Sequence, residues 1–299
     1  MVSTGRPSTC VPTAAIGMRS RGGHRQCAPP VPQLGAGAAW RAAPASPAPC
    51  GCRGRLPDID ELTVASLNLH RGFGFFGQAF DVAAALCQLE ADVVCVQESW
   101  LADAAEVDGL AEAAAKLGAA AHRAVMFRPD SVSLPEIPAS SGPGEISIAV
   151  LSALPVSDYQ VIELGRAPGD DVPRLAQVLT LKLAGGTSAR VVNTHLTHRL
   201  TSPLQLRRLH QRLRADSQRS GGVPTVIAGD LNMPRPFAAM SITYDTTVRG
   251  KTWPATRPLL QLDHILVDQS FRVIESAVLP SVGSDHLPIR ARLGVLALK

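Results

Sequence analysis

The chain has 299 residues, 45% of them hydrophobic, which is enough for one large domain or two small ones. No apolar run approaches the ~20 residues of a membrane-spanning helix. The formal net charge of +4 comes from seven Arg in residues 1–55, which contain no Lys, Asp or Glu, so residues 56–299 predict no basic field for non-specific nucleic-acid binding.

Residues 1–55 are predicted to be a disordered leader before a catalytic domain at 56–299. They are rich in Ala, Pro, Gly, Ser and Arg and lack hydrophobic periodicity. A secretory signal needs a continuous apolar core, and Val11–Met18 is interrupted by Pro, Thr and Gly. An organellar transit peptide fits the acid-free composition but not the high Pro content. We favour a low-complexity tail or translated sequence upstream of the true start.

The six Cys do not predict a disulfide framework or a zinc site. Four lie in residues 1–55, and the pair Cys50 and Cys52 has no second Cys/His pair at zinc-site spacing. Cys87 and Cys95 lie in apolar stretches and are expected to be small buried hydrophobic residues. Because nothing requires an oxidising compartment, we expect a cytoplasmic protein, and we expect it to be a monomer.

The first half of residues 56–299 alternates predicted strands and helices. Periodicity predicts strands at Leu62–Leu69, Ala91–Gln97 and Ala119–Phe127, and helices at Gln78–Leu89 and Glu106–Leu117. Glu145–Leu151 and Val156–Leu164 are predicted to form a hairpin that turns at residues 153–155. Arg174–Leu183 and Ala189–Leu196 are predicted to form a second hairpin.

The second half begins with a predicted helix. Ser202 is its expected cap, and Leu206, Leu209 and Leu213 are expected to face the core. Strands are predicted at Thr225–Ala228, Gln261–Val267, Phe271–Val278 and Leu287–Leu293, with an irregular stretch after the first of them. Many strands in sequential pairs, with few helices, predict a two-sheet α/β sandwich and not a Rossmann sheet.

Polar side chains stand at five strand ends where an ordinary core strand would not need them. They are Asn68, Glu98, the pair Asn193 and His195, the pair Asp230 and Asn232, and a group made of Asp263, which enters the strand Gln261–Val267, with Asp285 and His286, which precede the last strand. Any one of them could be a turn former, a solvated acid or a core histidine. Together they favour a site, because buried acids are costly unless they are paired or bind metal.

The motifs that contain these residues resemble the endonuclease/exonuclease/phosphatase superfamily, which has the deoxyribonuclease I-like fold. The matching motifs are Ser66-Leu67-Asn68, Val96-Gln97-Glu98, Asn193-Thr194-His195, Gly229-Asp230-Leu231-Asn232, Leu262-Asp263-His264 and Ser284-Asp285-His286. They occur in the family's order and span nearly all of residues 62–293. The resemblance implies a four-layer α/β sandwich with two mixed, mainly antiparallel sheets flanked by helices.

The resemblance also implies Mg²⁺-dependent hydrolysis of a phosphoester, with Mn²⁺ as a substitute ion. It makes Glu98 the principal metal ligand, with Asn68 and Asp285 near the metal. It makes His286 the catalytic histidine, oriented by Asp263. Asp230 would position or deprotonate the attacking water, or would help to hold a second metal. Asn232 and Asn193 would hold phosphate oxygens, and His195 would contact the phosphate or protonate the leaving oxygen.

The sequence does not decide the substrate. One candidate is nucleic acid, and the other is a small phosphoester, namely a nucleotide or a phospholipid or inositol phosphate headgroup. Six Arg at 199–219 could follow a nucleic-acid backbone, although a charged helix face is usually only solvated. Trp253 could stack on a base or pack on the sandwich. The loop containing Phe73, Phe75 and Phe76 could touch an apolar part of a substrate, and we expect these rings to pack beneath the loop. The rival classes are a catalytically silent binding protein and a metallopeptidase, which would need a His-Glu-x-x-His helix.

Overall fold

The computed structural model describes residues 60–130, 133–134, 137–198 and 200–296. The prediction of a disordered leader at 1–55 lies outside these residues. The described part of the chain folds into two mixed six-stranded β-sheets and four α-helices, which confirms the predicted sandwich.

The first sheet consists of β1 (Glu61–Asn68), β2 (Val93–Ala102), β3 (Ala120–Phe127), β4 (Gly144–Ser152), β11 (Phe271–Val278) and β12 (Ile289–Val295), in the order β11-β12-β1-β2-β4-β3. The second consists of β5 (Val156–Gly165), β6 (Arg174–Lys182), β7 (Ser188–His195), β8 (Thr225–Asp230), β9 (Asp245–Thr246) and β10 (Asp263–Val267), in the order β5-β6-β7-β8-β10-β9. Each sheet contains one parallel pair, β1 with β2 and β7 with β8, and its other pairs are antiparallel.

The two-residue alternation of the strands divides their side chains between an inner and an outer core. On β1, Leu62 and Val64 are buried between the sheets, whereas Ala65 and Leu67 face outwards under α1 (Val82–Cys87) and α2 (Gly109–Leu117). Both faces of this strand are therefore apolar, as in a strand buried on both sides.

The second sheet is covered in the same way. Its outer face packs against α3 (Ser202–Ser220) and α4 (Arg235–Ser241), and Leu206, Leu209 and Leu213 of α3 are buried there as the spacing predicts. The four layers are thus helix, sheet, sheet, helix. None of the described helices combines the length and the apolar character that crossing a membrane requires.

The structure corrects four predicted elements. The first hairpin is wrong, because β4 pairs with β2 and β3 while β5 pairs with β6 in the other sheet. Residues 153–155 carry the chain between sheets. Strand β2 does not end at Gln97 but continues to Ala102, and α4 occupies part of the stretch predicted to be irregular. Thr201, not Ser202, is the residue that precedes α3.

Candidate active site

The predicted polar residues meet where the strands of both sheets end. In the second sheet Asp230 of β8 lies opposite His195 of β7 on one side and Asp263 of β10 on the other. In the first sheet Asn68 ends β1, and its amide Nδ2 donates to Asp230 Oδ2 at 3.0 Å across the gap between the sheets. This edge opens into a pocket of about 460 Å³. The lining includes His70, Arg71, Glu98, Arg174, His195, His198, Asp230, Asn232, Trp253, Asp285 and His286.

Asp263 and His286 form a buried pair. His286 Nδ1 donates to Asp263 Oδ2 at 2.8 Å, and the Nε2 atom of the same ring lies 3.8 Å from Asp230 Oδ2. Burial lowers the pKa of His286, but the charge and the hydrogen bond of Asp263 outweigh it and raise that pKa to about 10. The ring therefore holds protons on both nitrogens at neutral pH and presents Nε2–H to the pocket.

Asp230 is the carboxylate that both histidine rings approach. Its Oδ2 lies 3.7 Å from His195 Nε2 and 3.8 Å from His286 Nε2, and its Oδ1 accepts from the Asn232 backbone amide at 2.8 Å. Burial raises the pKa of Asp230 to about 7, against the lowering effect of His286. A carboxylate of this basicity is suited to accept a proton near neutral pH.

Glu98 owes its position to a break in strand pairing. The register of β2 against β4 shifts between Val96 and Ser99, so Glu98 lies in a bulge that turns its side chain towards the pocket. Burial opposes ionisation, but the Arg71 guanidinium, whose Nη1 lies 3.4 Å from Glu98 Oε2, helps to hold the pKa of Glu98 below its usual range. The side chain is therefore a carboxylate at neutral pH.

Three buried carboxylate oxygens in this region have no hydrogen-bond partner among the described residues: Glu98 Oε2, Asp263 Oδ1 and Asp285 Oδ1. Arg71 Nη1 lies 3.4 Å from Glu98 Oε2, and His70 Nδ1 lies 3.6 Å from Asp285 Oδ1, without a hydrogen bond in either pair. Carboxylate oxygens that keep this capacity are the ligands that Mg²⁺ prefers. The donor set therefore fits a hard divalent metal near Glu98 and Asp285. Asn68 lies beside them, but its Nδ2 faces the carboxylates and its Oδ1 accepts from the His70 amide at 2.9 Å.

A second group could also hold a cation. Ligand atoms of Asp230, Asp263 and His286 lie within 4.8 Å of one another, and all three residues are buried. We give this group less weight as a metal centre, because its closest pair is already joined by the 2.8 Å hydrogen bond between His286 and Asp263.

His195 and Asn232 form the opposite wall. Asn232 Nδ2 donates to the Leu196 carbonyl at 3.0 Å and lies 3.1 Å from His195 Nε2, which accepts when the ring is neutral. Burial, with a smaller contribution from the charge of Arg174, lowers the pKa of His195 to about 3. In this state His195 is therefore a neutral imidazole.

Three predicted site residues, Asn68, Asp263 and Asn193, do not line the pocket. Asn68 and Asp263 hydrogen-bond to Asp230 and His286, which do, whereas Asn193 lies in the interior between the sheets. It shares a strand face with His195 but lies two residues, or about 7 Å, deeper between the sheets. Its Oδ1 accepts from Gln97 Nε2 at 2.7 Å, and its Nδ2 donates to the Val96 and Ala149 carbonyls. The residue is fully buried, so this geometry favours a role in joining the sheets over a phosphate contact.

The close approach of β7 and β8 at the site requires a glycine at position 229. Gly229 precedes Asp230 with φ of +146°, and a Cβ built there would lie 1.9 Å from the Thr194 carbonyl oxygen on the neighbouring strand. Only glycine allows β7 and β8 to approach this closely.

Unusual backbone conformations are concentrated here as well. Among the described residues other than glycine, five have positive φ, and four of them line the pocket: His70, Arg71, Glu98 and Asn232. Such conformations persist only where the surrounding structure enforces them, and they are frequent at functional sites. This observation is independent of the sequence motifs.

Arg174 is a pocket residue that the sequence motifs do not predict; it is buried and lines the pocket with His195. Its Nε and Nη2 donate to Asp170 Oδ2 at 3.2 and 3.0 Å, and Thr197 Oγ1 donates to the same oxygen at 2.6 Å. These bonds fix the guanidinium at the pocket wall. An arginine at the start of a strand gives no signal by itself, because its partners come from distant parts of the chain.

Replacing Asp170 with asparagine should destabilise the protein in a pH-dependent way. Burial raises the pKa of Asp170, but bonds from Thr197, Val172 and Arg174 outweigh it and lower that pKa from 3.8 to about 2. The carboxylate thus contributes about 2 kcal/mol above pH ~4, and about half of this is lost at pH ~3 as the pH falls towards the folded-state pKa.

Urea unfolding of both proteins at neutral pH and near pH 3 checks this, with Asp171→Asn as the control at an exposed neighbouring acid. We expect the stability difference between wild type and Asp170→Asn to shrink in acid. A difference that does not change with pH would contradict the assignment.

Comparison with known proteins agrees with the geometry. The sequence model of the Endonuclease/Exonuclease/phosphatase family matches residues 65–286, a range that includes every predicted site residue. A search of curated proteins gave no match.

Solved structures share the fold at low sequence identity. An endonuclease/exonuclease/phosphatase family protein from Bacteroides thetaiotaomicron is 19% identical, with a TM-score of 0.61 over 80% of this chain and all of that one. The mannosyl-6-phosphatase Bt3783 of the same species is 18% identical, with a TM-score of 0.59 over 78% of this chain and 99% of that one. The human Nocturnin catalytic domain with bound sulfate is 18% identical, with a TM-score of 0.59 over 79% and 94%.

Proposed function

The chain belongs to the endonuclease/exonuclease/phosphatase family, and from that membership we propose that it is a divalent-metal-dependent hydrolase of phosphodiester bonds. The observation that carries this proposal is the approach of Asp230 to the Asp263–His286 pair in an open pocket. A phosphodiester is anionic, so its hydrolysis needs a group that orients water and groups that stabilise negative charge. The pocket contains both.

Glu98 and Asp285 are the side chains that would hold the cation, with Asn68 beside them. Each of the two acids has a buried carboxylate oxygen that makes no hydrogen bond with the described residues, which supports this assignment. A bound Mg²⁺ would supply Lewis-acid stabilisation of charge on the phosphate oxygens. Arg71 stays close to Glu98 and adds a permanent positive charge on the same side.

Asp230 and His286 would carry the proton chemistry. Asp230 Oδ2 would orient a water molecule and accept its proton. Both imidazole Nε2 atoms lie within 4 Å of this oxygen, so the water would be held close to the groups that contact the phosphate. His286 Nε2–H would donate to an oxygen of the phosphate as charge develops. Asp263 acts through His286, because it fixes the ring orientation and the Nδ1 proton.

The other wall of the pocket would bind the phosphate. Asn232 and His195 line it, and Arg174 stands behind His195 with its guanidinium fixed by Asp170. A fixed arginine recognises phosphate oxygens without first losing side-chain freedom. We therefore include Arg174 among the phosphate-binding residues and leave out Asn193.

The arginines of α3 give no support to a nuclease. Among the described side chains, none of them lines the pocket; Arg208 and Arg212 border a groove with Glu163, and Arg214 borders another with Asp268. A compact phosphodiester is accordingly the first substrate to test, with nucleic acid as the comparison.

The deciding measurement is hydrolysis of bis(p-nitrophenyl) phosphate and of supercoiled plasmid by the full chain, with Mg²⁺ and with EDTA. We expect turnover of the small diester that requires Mg²⁺ and is lost in Asp230→Ala. An exposed-acid variant, Asp158→Ala, is the matched control, because Asp158 lies on the edge strand β5.

Each outcome has a separate meaning. Plasmid nicking that depends on Asp230 would make the protein a nuclease. Cleavage of the small diester alone would favour a nucleotide or lipid-headgroup phosphodiesterase. The monoester p-nitrophenyl phosphate is assayed in parallel. If it is hydrolysed while neither diester is cleaved, the enzyme is a phosphatase. Hydrolysis of none of the three would refute the proposal and revive a silent binding protein.

A further inference from the structure

The loop after β1 presents two phenylalanines at the tip of a well-defined turn. The Gly77 amide donates to the Gly74 carbonyl at 2.9 Å, so Phe75 and Phe76 occupy the two central positions of a β-turn. The turn is closed by the Gly74 amide, which donates to the Gln78 carbonyl at 2.9 Å. This part of the chain is therefore held by its own backbone bonds.

The turn is also seated against the catalytic segment. A Cβ built on Gly74 would lie 2.6 Å from the Gly283 carbonyl oxygen, so the two backbones touch directly. Gly283 immediately precedes Ser284, Asp285 and His286. The turn is thus fixed relative to the site and not only attached to it through the chain.

The two rings at the tip are not buried beneath the loop. Phe75 is 43% exposed and Phe76 is 79% exposed. The expectation that these rings pack beneath the loop is therefore wrong for both. Phe80 takes that place, since it is packed against the core of α1 and α2 and meets Gly283. Exposed aromatic surface next to a pocket is unfavourable in water and indicates a binding role.

Trp253 connects the exposed rings with the pocket, because it contacts Phe75 and lines the pocket. Phe75 lies 5.2 Å from Phe76 and 6.4 Å from Trp253 between ring centroids, in edge-to-face arrangements. Trp253 lines the pocket, and its Nε1–H donates to Asp285 Oδ2 at 3.1 Å. We call Phe75, Phe76 and Trp253 the aromatic ledge. It extends from a site carboxylate to the open surface.

Building on the proposed function, we propose that the aromatic ledge is a subsite for a planar aromatic ring, such as a nucleobase or an aryl group, on the ester substituent of the substrate. Aromatic rings that offer free faces and edges interact best with another ring. A lipid surface is a poorer match, because residues 72–80 contain no Lys or Arg to meet anionic headgroups.

The test uses phosphonates, which bind a phosphate site but have a P–C bond in place of the ester bond and are not hydrolysed. Titration calorimetry of the full chain with Mg²⁺ would compare phenylphosphonate, methylphosphonate and hexylphosphonate. Hexylphosphonate has as many carbon atoms as the phenyl compound but no ring. We expect phenylphosphonate to bind about ten-fold more tightly than either of the others.

Variants locate the effect. Phe75→Leu/Phe76→Leu keeps apolar side chains and should abolish the preference for phenylphosphonate while leaving methylphosphonate affinity unchanged. The control is Phe237→Ala, an exposed phenylalanine on α4 that does not line the pocket, and it should keep the preference. The wild-type comparison stands alone if a variant does not fold.

The outcomes separate this inference from the proposed function. Equal binding of phenylphosphonate and methylphosphonate overturns the ring subsite and leaves the hydrolase proposal intact. Equal binding of the phenyl and hexyl compounds overturns the selectivity for a ring. Binding of none of the three also overturns the ring subsite, whereas the hydrolase proposal is decided by the hydrolysis assay. A phenyl preference that the leucine variant retains places the ring elsewhere and also overturns the inference.

Discussion

Replacing His286 with alanine is expected to lower kcat about a thousand-fold, and added metal should not restore it. The ring holds one proton against Asp263 and presents the other to the pocket 3.8 Å from Asp230, so its loss removes a donor that meets the developing charge. No metal ion replaces a positioned N–H group. Steady-state kinetics on the best diester over a wide range of Mg²⁺ concentrations would measure the effect.

The neighbouring acid provides the control for this prediction. Asp263→Asn keeps a hydrogen-bond acceptor near His286 Nδ1 but removes the charge, so it should cost less than His286→Ala, about ten- to a hundred-fold. A larger loss in Asp263→Asn than in His286→Ala would contradict the assignment of Asp263 as a positioning residue.

Replacing Glu98 with alanine is expected to cause a comparable loss at low Mg²⁺ but a partial recovery at high Mg²⁺. Glu98 offers a carboxylate oxygen without a hydrogen-bond partner, which we assign to the cation, and Asp285 would still bind the ion weakly without it. The measurement is kcat/KM as a function of Mg²⁺ concentration, which should show a raised half-saturation point.

The comparison between the two variants is the sharper test. Rescue of Glu98→Ala alone supports a metal-binding role for Glu98 and a proton-transfer role for His286. If high Mg²⁺ rescues both variants equally, or rescues neither, the assignment of metal binding to Glu98 and proton transfer to His286 is wrong.

Much of the fold could be predicted from sequence, because its strands are strongly patterned. Strand β1 has apolar residues on both faces, and the α3 leucines recur at helical spacing, so both elements followed from local sequence. The hairpin of β4 and β5 did not, because residues 153–155 are equally suited to a turn within one sheet and to a crossing between two sheets. Long-range pairing decides between these, and it leaves no local signal.

The errors around the site have a similar origin. The α4 segment begins Arg235-Pro236, and proline suggested a loop, although proline is also favoured in the first turn of a helix. Glu98 was expected to end its strand, and the structure instead continues the strand through a bulge. The spacing of Asn193 and His195 predicted their common face but not their different depths. Arg174 was missed because its partners, Asp170 and Thr197, are near it only after folding.

The junction of the two sheets has a consequence for how activity is acquired. Asn68 meets Asp230 across 162 residues of chain, and Ser284 Oγ donates to the Asn68 carbonyl across 216. Closing loops of this length costs conformational entropy that is repaid only when the contacts themselves form. The pocket is therefore completed only when the first and last strands have joined. We therefore expect that a chain lacking Ser284-Asp285-His286 cannot complete this pocket.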